Sequence, residues 1–270
     1  MGERDAVEAV EEPITVDSLR ADLRDLGVRE GETLLVHSSL RSLGWVAGGA
    51  QAVVEALQGA VTETGTLVVP TFTGQYTDPS AWSNPPVPDE WVERMPERMP
   101  TFRPAVTPTR GMGAVPECLR TEPAAVRSRH PETSFAAWGA DADAVVADHD
   151  YDYGLGEGSP LASIYDRGGR VLLLGVGHDV DSSLHLAEYR ASVEMEAVRH
   201  RAPVLRDGER EMVAYEDIAT STDDFEALGA DFEREVGATE APVGAGTAKL
   251  LDQSALVDFA VEWFEANRGP

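Results

Sequence analysis

The run Arg170-Val-Leu-Leu-Leu-Gly175 constrains the fold more than any other stretch of the chain. It is apolar without alternation, too short for a helix, and fenced by Gly168-Gly169 before it and Gly177 after it, which marks a strand buried on both faces. Such a strand belongs at the centre of a sheet. Thr33-Leu-Leu-Val-His37 and Thr66-Leu-Val-Val-Pro70 have the same character. Each follows a stretch of helical period: one places Leu19, Leu23 and Leu26 on one face, with Thr15 or Asp17 as cap and Gly27 as stop, and the other runs from Gly48 to Val61. Helix, strand, helix, strand defines an α/β chain.

Further along, a helix is predicted at Val115 to Thr121, a strand at Ser134 to Trp138 and a short helix at Asp141 to Ala147. Ser159-Pro160 is a helix start, Ser182 to Arg190 is a helix entered from Asp181 or Ser182, and Pro203 to Tyr215 is a hairpin turning at Asp207-Gly208. The last helix is predicted over Leu250 to Asn267, with Leu251, Leu256, Val257, Ala260 and Phe264 inward. Between Pro79 and Pro108 lie eight of the 17 prolines, with Trp82 and Trp91, which predicts a long ordered insertion. Residues 1–12 read as an acidic, frayed tail and 13–270 as one domain.

Charge limits the partners. Against 48 acidic residues stand only 22 Lys and Arg, a net charge of −26, so nucleic acid is excluded for want of clustered cations and a cationic ligand fits better. Lys249 is the only lysine, and this pairing of acidic excess with lysine depletion reads as a salt-adapted, halophilic surface. No run is apolar enough to cross a membrane and the N-terminus has no signal pattern, so the expected location is cytoplasmic. The single Cys118 leaves no intramolecular disulfide and reads as a small core residue.

Chemistry concentrates after the central strand. His185 and Glu188 stand three residues apart, and so on one face, at the beginning of the helix that follows Arg170–Gly175. Ligands of open α/β sheets settle beyond the C-terminal ends of the strands, where this helix begins. The pair suits a general base, although the same spacing occurs on solvated helices. Val36-His-Ser-Ser-Leu40 closes the first strand with hydroxyls and free N–H groups, and Thr107-Pro-Thr-Arg-Gly-Met-Gly113 combines an arginine with glycines, so either can hold a phosphate or an amide chain, or simply cap structure. His130 alone reads as structural. Neither a phosphate-binding Gly-x-x-x-x-Gly-Lys nor a Gly-x-Ser-x-Gly elbow is present, and a metal set of His178, Asp179, Asp181 and His185 is a weak alternative, so no metal is expected.

Taken together, Val36–Leu40, Pro70-Thr-Phe-Thr73 with Asp78-Pro79 and Trp82, Thr107–Gly113, Arg127–Pro131 with Ser134, and Leu172–His178 followed by Ser183–Glu188 resemble the aminoglycoside 3-N-acetyltransferase family, in order, from about residue 15 onward. Asp223-Asp-Phe225, Gly229 and Phe232 extend the match. The resemblance implies a three-layer α/β/α sandwich around a central mixed sheet, distinct from the common N-acetyltransferase superfamily. It implies acetyl-CoA as co-substrate and direct acetyl transfer to the 3-amino group of an aminoglycoside. By position, His185 corresponds to the catalytic histidine, Glu188 to its acidic companion, and Thr71 to a threonine near the reacting centre. His37, Ser38, Ser39, Leu40, Thr109, Arg110, Gly111, His130 and Ser134 fall on segments assigned to the CoA site. Asp78, Asp181 and Asp223 are candidate acceptor-binding carboxylates, and Asp181 stands where the family commonly has asparagine. A homodimer is left open. The rival readings are an acyl-CoA transferase acting on another primary amine and a CoA- or polyamine-binding protein without turnover.

Overall fold

The structure, a computed structural model, describes residues 3–83 and 85–269. Met1 and Gly2, part of the expected tail, lie outside them. The chain runs α1 (Glu3–Glu8), α2 (Val16–Leu26), β1 (Thr33–Ser38), α3 (Gly49–Val61) and β2 (Thr66–Pro70), then enters the proline-rich insertion with two one-turn helices, α4 (Asp89–Val92) and α5 (Met95–Arg98). It continues through α6 (Ala114–Leu119), β3 (Val126–Arg127), β4 (Phe135–Gly139), α7 (Ala142–Val146), α8 (Pro160–Asp166), β5 (Arg170–Leu174) and α9 (Ser183–Arg190). The hairpin β6 (Ala197–Arg206) and β7 (Glu209–Ile218), then α10 (Phe225–Glu235), β8 (Thr239–Val243), β9 (Gly246–Asp252) and α11 (Gln253–Asn267), complete it. The local signals act as their chemistry dictates. Thr15 and Ser18 form a reciprocal capping box on α2, Gly27 ends that helix in the left-handed region, and the Ser159 hydroxyl accepts from Leu161 N at the start of α8.

Seven strands form one sheet in the order β3-β4-β2-β1-β5-β9-β8. β1 pairs parallel with both β2 and β5, whereas β4 and β9 run antiparallel to their inner neighbours, so the sheet is mixed. Successive side chains on a strand point to opposite faces. Leu34 and Val36 of β1 accordingly pack with α2, α3 and α6, while Leu35 of the same strand packs with α7, α8, α9, α10 and α11. Helices therefore cover both faces, which is why the central strands carry no polar alternation. The parallel β1, β2 and β5 all end at one edge, and the chain leaves β5 for α9 there. Gly175 makes that exit with φ of 70°, and a Cβ on it would lie 2.7 Å from the Ser42 Cβ.

Several expectations need correction. α1 stands where a frayed tail was expected, with Ala6 buried and Val10 packed on the core. Leu250 and Leu251 belong to β9, not to the last helix, because their strand pairs antiparallel with β5 and places them on opposite faces of the sheet. The hairpin is longer than Pro203–Tyr215, though its turn is Asp207-Gly208, both with positive φ. In the insertion, Trp91 is 52% exposed, and the anchors are instead Tyr76 and Phe102, which form a small core with Ala202 and Tyr215 of the hairpin. The same pleat corrects a site assignment. Pro70 and Phe72 face the cleft described below, so Thr71 between them turns to the other side, where its hydroxyl donates to the Ser134 carbonyl at 2.9 Å and accepts from Arg127 Nε at 3.0 Å.

Candidate active site

A cavity of about 300 Å³ lies where β1, β2 and β5 end and α9 begins, lined among others by His37, Ser38, Phe72, Met112, Ser182, His185 and Thr222. A groove of about 750 Å³ shares Ser38, Gly111, Met112, Val176 and Val180 with it and runs along Ser39, Leu40, Arg41, Trp45, Gly49 and Gly113. Glycines here let a ligand approach the backbone closely. Ser38 stands at the junction, and its buried hydroxyl has no hydrogen-bond partner among the described residues.

His185 presents its ring to the cavity, its side chain 12% exposed. One helical turn on, Glu188 accepts from His185 Nδ1 at 2.6 Å through Oε2, while its Oε1 accepts from Ser221 N at 3.2 Å and from Arg268 Nη1 at 2.6 Å. In a neutral ring, an Nδ1 proton donated to Glu188 leaves the lone pair on Nε2. Phe225 packs beside the ring, with centroids 5.0 Å apart. Sequence reasoning found the pair but missed Arg268, because a residue beyond the end of α11 carries no local signal of what it meets.

His37, also in the cavity lining, accepts from Ser182 N at Nε2 (3.3 Å). Burial pushes its imidazole down, and the nearby Asp181 pulls the other way without overcoming it. Asp181 itself is fully buried. Its Oδ1 caps Ser183 N at 2.9 Å, and its two oxygens face His37 and His178 at 3.8 and 3.9 Å. The expectation that it meets the acceptor from the cleft is therefore wrong: it is a cap held between two imidazoles, and His178 is in turn held by Glu233 at 2.8 Å.

The remaining candidates divide. Ser39, Leu40 and Gly111 line the groove, with the Ser39 hydroxyl accepting from that of Ser42 at 2.9 Å. Thr109 hydrogen-bonds Glu117 through its amide and hydroxyl, and although burial would raise the Glu117 carboxyl, Arg120 and Thr109 hold it at about 2. Arg110 lies over the Trp82 ring, 5.4 Å from its centroid. His130 and Ser134 are completely buried and engaged by the backbone around them, so neither offers a surface to CoA. Asp78 caps the turn Pro79–Ala81 and lines a separate crevice with His200 and Arg199, away from His185. Asp223 is exposed on the loop next to Thr222. Among the described residues no three His, Cys, Asp or Glu side chains gather to hold a metal ion, so the set of His178, Asp179, Asp181 and His185 does not form one. On the other side of α9 a larger cavity, about 970 Å³, is bordered by Asp150, Asp152, Glu157 and Glu188 with Tyr151, Tyr153 and Tyr189. Residues 150–158, which supply one wall, are acidic and glycine-rich.

A histidine set over a cavity from which a groove departs suits transfer of a group between two substrates. Comparison with known proteins gives that class a family. The family model described as aminoglycoside 3-N-acetyltransferase matches residues 35–265. The prophage-derived aminoglycoside N(3')-acetyltransferase-like protein YokD of Bacillus subtilis is 42% identical over 262 residues, 97% of this chain and 96% of its own. The YokD crystal structure superposes with a TM-score of 0.95 over 98% of both chains. AAC-IIIb, solved as a binary complex with CoASH, is 31% identical with a TM-score of 0.85, covering 96% of this chain and 98% of that one. AAC-VIa bound to sisomicin is also 31% identical, with a TM-score of 0.86, covering 96% and 100%. The chain belongs to the aminoglycoside 3-N-acetyltransferase family, whose enzymes take their acetyl group from acetyl-CoA. The expected α/β sandwich around a mixed sheet is the fold found. No helix among the described residues is long and apolar enough to cross a membrane.

Proposed function

We propose that this protein transfers acetyl from acetyl-CoA to the 3-amino group of an aminoglycoside, in the cytoplasm, with His185 as general base. The observation that carries the reading is the His185–Glu188 pair: a near-buried imidazole whose Nδ1 proton is spoken for, with Nε2 left to a cavity continuous with a narrow groove. An ammonium has no lone pair with which to attack a thioester. His185 Nε2 takes one proton from the acceptor nitrogen, and the nitrogen then bonds to the acetyl carbonyl carbon. Glu188 offsets the imidazolium that forms. As the carbon–sulfur bond breaks, the thiolate leaves and takes the proton from His185, and the second proton lost by the nitrogen passes through the freed Nε2 to solvent, which leaves the neutral amide and the thiol. Thr71 cannot supply the oxyanion contact from its place behind the sheet edge. The backbone N–H groups at the cavity rim are the remaining donors for it, worth roughly 2.7 to 4 kcal/mol each where such donors have been removed.

The groove with the unpartnered Ser38 hydroxyl suits the pantetheine chain, and Arg41 in its lining is a cation available to the phosphates. The acidic cavity beyond α9 suits the other amines of a polycationic acceptor, since Glu157 is paired with Arg190 and Glu188 with Arg268, each at 2.6 Å, while Asp150 and Asp152 form no ion pair among the described residues. Coenzyme A and sisomicin, as found with AAC-IIIb and AAC-VIa, are the corresponding probes. The test is release of free thiol from acetyl-CoA in the presence of sisomicin, gentamicin, spermidine or a simple amino sugar, at low and at molar salt. Turnover with aminoglycosides and mass-spectrometric placement of acetyl on the 3-amino group is the expected result. Turnover with spermidine alone would replace the acceptor class, and no turnover with any amine would leave a CoA-binding protein.

A further inference from the structure

We infer that Arg268 is a positioning residue for the reaction, holding Glu188 and the Phe225 wall so that His185 keeps one ring orientation and one tautomer. The inference rests on His185 acting as the base. Arg268 lies beyond the stretch matched by the family model, directly after α11. Its guanidinium stacks on the Phe264 ring at 4.0 Å, which leaves the N–H edges free to point outward in the plane. Nη1 donates to Glu188 Oε1 at 2.6 Å, Nε to Asp224 Oδ2 at 2.6 Å, and Nη2 to Asp224 Oδ1 and to the Ser221 carbonyl at 3.1 Å.

Two paths therefore run from this one cation to the His185 ring. Through Glu188 it fixes the carboxylate whose other oxygen takes the His185 Nδ1 proton. Through Asp224 it fixes the start of α10, and with it Phe225, whose ring packs against His185 and lies 6.2 Å from that of Phe264. The Glu188 side chain has no solvent exposure and that of Arg268 only 17%. Without the guanidinium a buried anion would keep one amide and an imidazole as partners, and it would be free to rotate away from Nδ1. Arginine is the default cation of this chain, so its identity alone argues nothing. The three-way division of its donors does, because a lysine ammonium cannot reach two carboxylates and a carbonyl from one plane.

The test compares Arg268→Lys, Arg268→Ala, Glu188→Gln, the double variant Arg268→Ala/Glu188→Gln and His185→Ala in the full chain. It uses thiol release with sisomicin, melting temperature, and the downfield proton resonance of the imidazole N–H, assigned by its loss in His185→Ala. A residue supporting a site from behind typically contributes about 10- to 100-fold. Arg268→Lys and Arg268→Ala should therefore lower kcat by that order, leave the acetyl-CoA KM within about twofold, and weaken the imidazole resonance. Adding Arg268→Ala to Glu188→Gln should cost less than Arg268→Ala costs in the wild type, since the path through Glu188 is already lost and only that through Asp224 and Phe225 remains. Independent, multiplying losses would overturn the inference, and so would a folded Arg268→Lys variant with full kcat and an unchanged resonance. Activity retained in His185→Ala would instead overturn the base assignment, a result that none of the Arg268 variants can produce. The resonance reads the tautomer even where sisomicin is not turned over.

Discussion

His185 and His149 are both imidazoles held by hydrogen bonds, yet only His185 keeps a ring nitrogen toward a cavity. His149 accepts from the Ser128 hydroxyl at Nδ1 (2.9 Å), donates to the Gly154 carbonyl at Nε2 (2.7 Å) and stacks on His130 at 4.8 Å. Every valence is used inside the fold, and burial pushes the imidazole down to about 4. His130 beside it is pushed well below its ordinary value, first by burial and then by His149. His185 is tied at Nδ1 only and by a carboxylate, with its other nitrogen toward a cavity. A histidine becomes a base where one nitrogen is anchored and the other is left to a ligand. Where both are anchored to neutral groups, it becomes packing with a pH cost.

The comparison breaks first at His185. His185→Ala should lower kcat about 10²- to 10⁴-fold while calorimetry with CoA shows nearly unchanged affinity, because the base acts on the acceptor. The corresponding His149→Gln variant should keep CoA affinity and turnover. If it loses turnover as His185→Ala does, the division is wrong.

The next effect is on stability. Unfolded His149 takes a proton below pH 6.5 whereas folded His149 waits until about 4, so in that window the unfolded chain binds more protons and stability falls as the pH falls. The loss is on the order of 3 kcal/mol by pH 4, fully recovered above 6.5. Melting curves from pH 7 to 4.5 should show this slope in the wild type and a shallower one in His149→Gln; equal slopes would place the pH sensitivity among the surface carboxylates.

Glu188→Gln keeps the shape and the Ser221 contact but removes the charge, so kcat should fall by about tenfold with the acetyl-CoA KM unchanged, as for loss of one charged hydrogen bond. A rise in acceptor KM with kcat intact would make Glu188 a binding group instead. The smallest effect belongs to Ser38. Its hydroxyl has no partner in the fold, so Ser38→Ala should leave the melting temperature unchanged or raise it, while the acetyl-CoA KM rises a few-fold for about 1 kcal/mol of lost binding. A destabilised variant with an unchanged KM would make Ser38 structural.

The site was legible to different depths. The His185–Glu188 pair could be read directly, because a spacing of three on a helix fixes a shared face whatever the surroundings. The groove residues Ser38, Ser39, Leu40 and Gly111 were legible as a strand end followed by glycines. Thr71 and Ser134 were misplaced, since the pleat that turns their side chains away from the cleft depends on which residue faces it first. Asp181 read as a cleft carboxylate, and only the arrival of β1 with His37 on one side and of His178 on the other makes it buried.

The sequence alone determined the layered α/β order, the central strand, the helix caps and the face shared by His185 and Glu188, because these rest on periods of two and 3.6 residues and on backbone groups within a few positions. β9, α10, the acidic cavity and the clasp of Arg268 on Glu188 were decided only by the tertiary structure. Arg268 and Glu188 are 80 residues apart, and the contact that joins them exists only once α9 and α11 pack on the same face of the sheet. A buried carboxylate selects its partner from whatever the fold brings within hydrogen-bond reach, and no local pattern records that choice.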